Sequence, residues 1–177
     1  SIRRQRQMCI RDRDMEYYPL YRFGFGLSYT SFEYSDLKIQ EKPNGNVTVQ
    51  ATVKNIGSRA GDEVAQLYVT DMYASVKTRV MELKDFDRIY LQPGESKTVS
   101  FELTPYDISL LNDHMDRVVE KGEFKICVGG MSPDYVAKNE IKHSVGYSDN
   151  KKGVTGMLNY THEFGADFIL SVSKVCL

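Results

Sequence analysis

The sequence predicts an all-β fold, an antiparallel β-sandwich. Three observations carry this reading. Apolar residues recur at every second position in four separate runs, the signature of half-buried strands. Turn-forming residues separate the runs. The stretch from Phe32 to Gly130 also has the length, about 100 residues, that a seven-stranded sandwich needs.

The elements follow in order. "YRFGFGLSYTSFEY", Tyr21 to Tyr34, alternates Phe23, Phe25, Leu27 and Tyr29 with Gly24, Gly26, Ser28 and Thr30. As an extended strand it would have one large apolar face and one nearly bare face. Glycine on the bare face permits another backbone to approach closely. In "NVTVQATVKN" the residues Val47, Val49, Ala51 and Val53 share a face. "EVAQLYVT" does the same with Ala65, Leu67 and Val69, "KTVSFELT" with Val99, Phe101 and Leu103, and "EFKICVGG" with Phe124, Ile126 and Val128. The intervening positions are mainly polar, as in antiparallel sheets with one solvated face.

The punctuation is equally specific. "NIGSRAGD", Asn55 to Asp62, supplies two glycines for a turn, and "EKGE", Glu120 to Glu123, is another tight turn. "QPGE", Gln92 to Glu95, places Pro and Gly at the central positions of a type II turn. In "TPYDISLLND", Thr104 reads as an N-cap, Pro105 as N1 and Asp107 as N3, which predicts one or two helical turns near 105–111.

Beyond Gly130 the pattern weakens. "ADFILSVSKV" alternates Phe168, Leu170 and Val172 and reads as the closing strand. Before it, residues 131–165 read as an insertion with short strands near Ile141–Tyr147 and Val154–Tyr160. At the other end, residues 1–16 are set apart as a disordered or artefactual arm. "SIRRQRQMCIRDRD" carries five Arg and two Asp, no apolar signal-peptide region follows, and "MCIRDR" looks like translated adapter sequence. Ser1 in place of Met suggests a start inside a longer reading frame. The domain reading is therefore the arm 1–16, a linker strand over 17–31, and a sandwich over 32–177.

Composition removes several function classes. A formal net charge of −1 on 177 residues gives no whole-chain bias toward nucleic acid or an anionic membrane. No apolar run reaches the roughly 18 residues of a spanning helix. Cys9, Cys127 and Cys176 are odd in number and widely spaced, which fits neither a disulfide framework nor a zinc site.

Chemical candidates are few. Asp85 and Asp87 in "LKDFDR" share a strand face and read as a solvated pair. His114 lies beside Asp113 and Asp116, and His143 and His162 lie near Asp149 and Glu163, without the convergent ligands a metal requires. No nucleophile elbow and no phosphate-binding glycine loop is present. Asn46 and Asn159 begin glycosylation sequons, which matter only in a eukaryotic secretory setting. Twelve Tyr, Tyr73 and Tyr135 among them, leave sugar contact open, while the absence of Trp counts against it.

"PLYRFGFGLSYTSFEYSDL", "VTVQATVKNIGSRAGDEVAQLYVTD", "SVKTRVMELKDFDRIYLQPGESKTVSFELTPYDISLLND" and "VVEKGEFKICVGG" occur in that order. Together they resemble the fibronectin type III-like domain at the C-terminus of family 3 glycoside hydrolases, the β-glucosidases and β-xylosidases. The resemblance spans about Tyr18 to Gly130. It implies an immunoglobulin-like sandwich and a periplasmic or extracellular setting. It also implies a non-catalytic accessory role beside an upstream barrel and α/β domain.

Retaining glycosidases need two carboxyl groups across the scissile bond, and in this family both lie upstream of the matching segment. No catalytic, cofactor-binding or metal-ligating residue is therefore carried over, and no cofactor is expected. The family usually has Gly where this chain has Asp85, which unsettles the turn geometry there. The implied partners are the catalytic domains of a parent enzyme, met by a docking segment of Phe23, Gly24, Phe25, Gly26 and Tyr29. The loop from Asp71 to Leu83 would face those domains and could meet an oligosaccharide there. The alternative is a stand-alone immunoglobulin-like module that binds glycans or proteins. Exposure of Phe23, Phe25 and Tyr29 would favour the first reading.

Overall fold

The computed structural model describes residues 21–133 and 153–165. Nine strands form in these residues: β1 (Phe32–Glu41), β2 (Val47–Asn55), β3 (Gly61–Asp71), β4 (Glu82–Leu91), β5 (Ser96–Leu103), β6 (Leu110–Leu111), β7 (Arg117–Val118), β8 (Gly122–Gly129) and β9 (Val154–Tyr160). One sheet has the order β1-β2-β5 and the other β4-β3-β8-β9, with β6-β7 a separate small hairpin. Every pairing is antiparallel.

The core lies between the two sheets, where period-two alternation places it. Val47, Val49, Ala51 and Val53 of β2 face Ala65, Leu67 and Val69 of β3, and all are buried. Val99, Phe101 and Leu103 of β5 and Phe124, Ile126 and Val128 of β8 complete the same cluster. The four runs read from the sequence are therefore β2, β3, β5 and β8, each with its apolar face inward.

Turn chemistry sets the registers. The Glu95 amide donates to the Gln92 carbonyl at 3.0 Å with Gly94 at φ 79°. Pro93 and Gly94 thus occupy the central positions of the expected type II turn. At the β1–β2 turn, Gly45 has φ 83°, which a residue with a Cβ reaches only with strain.

Two local expectations are corrected. Residues 105–108 make turns rather than an α-helix. Their amide bonds span three residues, Asp107 to Thr104 at 3.0 Å and Ser109 to Tyr106 at 3.3 Å. The chain then extends so that Leu110 pairs with Val118, and that pairing removes the residues a second helical turn would use. Thr104 and Asp107 still pair, the Thr104 amide and hydroxyl both donating to Asp107 Oδ2 at 2.7 Å, but no helix follows for them to cap. The described part of the linker, residues 21–31, is also not a strand, because the chain turns at Gly24.

At the far end, Val154–Tyr160 pairs with β8 over its full length and completes the four-stranded sheet. Residues 1–20, 134–152 and 166–177 lie outside the described residues. So do Cys9, Cys176, Tyr135, His143 and the expected strands at 141–147 and 166–175.

Candidate interdomain docking face

The segment 21–31 carries the predicted docking residues, and two polar anchors hold it. At the first anchor the chain makes a tight turn. The Phe25 amide donates to the Arg22 carbonyl at 3.1 Å, and Gly24 takes φ 76°. The buried Gln66 amide of β3 donates to the Gly24 carbonyl at 3.2 Å and to the Gly130 carbonyl at 3.1 Å. Tyr68 fixes the amide's orientation by donating its hydroxyl to Gln66 Oε1. The Ser132 amide donates to the Phe23 carbonyl at 2.9 Å.

A Cβ at Gly24 would lie 2.1 Å from Gln66 Oε1. What Gly24 admits is thus a side chain of its own sandwich rather than a foreign backbone.

The second anchor is Asn55, which is fully buried at the end of β2. Its Nδ2 donates to the Arg59 carbonyl at 2.8 Å and the Leu91 carbonyl at 3.1 Å. Its Oδ1 accepts from the Thr30 hydroxyl at 2.6 Å and the Gly57 amide at 3.0 Å. All the side chain's strong hydrogen-bonding valences are used, which is the condition for burying an amide cheaply. Gly57 must lack a Cβ, since one would sit 2.2 Å from Thr30 Oγ1.

Between and beside these anchors the large side chains point outward. Phe23 is 68% exposed, and Leu27 and Tyr29 are each 92% exposed. Phe25 is half-buried, its ring 5.2 Å from that of Tyr21, and Gly26 is half-buried as well. The backbone is tied down while its apolar side chains remain in water. Such a segment has already lost much of the conformational freedom that binding would otherwise cost.

The other candidates are dispersed. Asp85 and Asp87 are exposed on edge strand β4. His114 is exposed in the β6–β7 turn, where Asn112 Oδ1 accepts from its amide at 2.9 Å. Among the described residues no three His, Cys, Asp or Glu side chains converge. Cys127 is buried, and burial pushes its thiol up from the usual range. His162 binds Glu41 through Nδ1 and stacks on Phe164 at 5.8 Å, so it serves to tie 161–164 to β1.

In the 71–83 loop Tyr73 is exposed and its amide donates to Asp71 Oδ1 at 3.1 Å. Burial, followed by the charge of Glu120, pushes the Asp71 carboxyl up. Below the loop is a hollow of about 50 Å³ lined by Asp71, Arg79, Glu82 and Lys84. It admits a few waters and is far smaller than a ligand pocket of roughly 300 Å³ or more.

Both anchors escaped the sequence reading. Gln66 occupies an alternate position that reads as a solvated polar residue, and Asn55 reads as one of several turn formers. The available signals were Tyr68 on the same β3 face as Gln66, and Asn55 two residues before Gly57.

Comparison with known proteins shows what this chain resembles. Residues 63–132 match the fibronectin type III-like domain. The thermostable β-glucosidase B of Acetivibrio thermocellus is 44% identical over 128 residues, which cover 70% of this chain and 17% of that protein. A β-xylosidase of Formosa agariphila is 50% identical over 117 residues, covering 64% of this chain and 16% of the relative. Among solved structures, β-glucosidase 3B from Thermotoga neapolitana in complex with α-D-glucose superposes with a TM-score of 0.67 at 34% identity, covering 84% of this chain and 18% of that one. The chain spans about a sixth of the length of the curated relatives it matches.

Proposed function

We propose that this chain, a fibronectin type III-like domain of the family 3 glycoside hydrolase type, is the non-catalytic C-terminal accessory domain of such an enzyme. The observation that supports this reading is the anchored segment 21–31, which holds Phe23, Leu27 and Tyr29 in water on a fixed backbone. Burying those side chains against a catalytic domain would release apolar surface from water at about 25 cal/mol per Å². The domain then acts as a buttress. It contributes binding energy and rigidity, and the glycosidic bond is cleaved by groups it does not supply. In this arrangement the 71–83 loop faces the catalytic portion, and exposed Tyr73 is the side chain an oligosaccharide would meet.

The test has two parts. The purified chain alone should not release phenol from aryl β-glucosides. Added to a family 3 β-glucosidase shortened by its matching region, it should raise that enzyme's Tm by several degrees. Tyr29→Ser should lose most of the gain. Turnover by the chain alone that disappears on changing one of its own acidic residues would overturn the accessory reading, as would no change in Tm at saturating chain.

A further inference from the structure

The segment 21–31 is too small to hold two domains together. A stable protein contact buries about 800 Å² per partner and engages roughly 20–30 residues on each side. Five docking residues, two of them glycines, fall well short, so the contact must continue onto neighbouring surface.

The register of β3 and β4 supplies that surface. Asp62 pairs with Tyr90, Val64 with Arg88, and Gln66 with Phe86. Paired residues in an antiparallel ladder share a face. This is the face turned away from the core, because Glu63, Ala65 and Leu67 point inward and are buried. Phe86 is 64% exposed, Tyr90 56% and Val64 37%. Arg88 lies between them with its charge matched by Asp62 at 2.9 Å.

The patch is continuous with the anchored segment. Gly24 rests on Gln66, which pairs with Phe86 on this outer face. The segment thus reaches the outer face of β3 at Gln66, two residues along the same face from Val64. By contrast, the outward residues of β2 and β5 are polar, Gln50 facing Ser100 and Thr52 facing Thr98.

We infer that the outer face of β3 and β4, centred on Val64, Phe86 and Tyr90, is the second half of the docking interface and is covered by the catalytic portion of the same enzyme. This rests on the accessory reading above. The occupant follows from the continuity with 21–31 and from relatives about six times as long as this chain, whose remaining mass must pack on some face of the domain. The surface that fits is an apolar hollow with a polar rim that leaves the Arg88–Asp62 pair at its edge.

The experiment is calorimetric titration of the full chain into the shortened β-glucosidase, with Phe86→Ser, Tyr90→Ser and Gln50→Ala compared with the parent. Phe86 and Tyr90 are exposed and both variants should fold, which their Tm values check. Loss of one central aromatic residue typically costs a binding interface tenfold or more. We expect Phe86→Ser and Tyr90→Ser each to weaken Kd at least tenfold, and Gln50→Ala to stay within twofold. Parent binding with unaltered Phe86→Ser and Tyr90→Ser affinities would overturn this interface and leave the accessory role standing. Absence of parent binding would remove both. A dimer of the free chain that Phe86→Ser dissociates would assign the face to a second copy instead, and so overturn the inference.

Discussion

The two outer faces of the sandwich are built from the same alternation and end up as different surfaces. The three-stranded sheet shows water Gln50, Thr52, Thr98 and Ser100, with Lys54 beyond them. The four-stranded sheet presents Val64, Phe86 and Tyr90 outward and buries Gln66, Tyr68 and Cys127 on the same side. Strand β2 therefore reads as apolar in and polar out, whereas β3 is buried on both faces over Ala65–Val69. A strand buried on both sides carries a near-continuous apolar run, and "AQLYV" is one, interrupted only by Gln66. That amide is one of the two anchors of the outer segment. The lesson is that a polar residue within an apolar run marks where a sheet's outer face receives something.

Substitutions distinguish the two faces. The largest effect should come from the core that both sheets share. Leu67 is fully buried between them, and Leu67→Ala should cost about 3–4 kcal/mol in chemical denaturation. It would destabilise the two faces equally and so serves as the reference.

Asn55→Ala comes next and acts on one side. It removes four hydrogen bonds and strands the buried Leu91 carbonyl and the Gly57 amide. A loss of about 2–3 kcal/mol is expected. Amide exchange should also accelerate near Ser31 and Ile56, which are joined by a 2.9 Å backbone bond, more than in the β2–β5 ladder.

The smallest effect is pH-dependent and touches neither face. Glu41 ties β1 to the segment after β9. Partial burial pushes its carboxyl up, but hydrogen bonds from His162 and Thr161 outweigh this and hold it below the usual range. A carboxyl depressed in the folded state contributes stability above its unfolded pKa, about 4.3, and loses it as the pH falls through the folded value. Between pH 6 and pH 3, protection of the Phe164 amide, bonded to the Val119 carbonyl at 3.1 Å, should fall once intrinsic rates are corrected. Glu41→Gln should abolish most of that dependence.

The sequence made the inner faces legible because a single period decides them. Val47, Leu67, Phe101 and Ile126 needed only their spacing to be placed in the core. The Pro93–Gly94 turn was legible because its backbone geometry is local. The outer surfaces were not. Phe86 sits between Asp85 and Asp87, and that context reads as a solvated edge, although alternation turns the Phe to the opposite face from both carboxylates. The segment around Gly24 alternates as a strand would, yet among the described residues it joins no ladder and folds into a turn on Gln66. Partner choice is a tertiary property, and alternation alone carries no information about it. The resemblance to family 3 enzymes supplied the idea of a docking segment, and the geometry of Asn55 and Gln66 supplies the means of holding it.

The most direct test of the account is hydroxyl-radical footprinting of the chain, free and mixed with the shortened β-glucosidase. It should protect Phe23, Tyr29, Phe86 and Tyr90 together. Tyr106 and Met115 are exposed elsewhere on the sandwich and should be oxidised at unchanged rates. Protection confined to Tyr106 and Met115, or equal oxidation of all six with and without the enzyme, would contradict it.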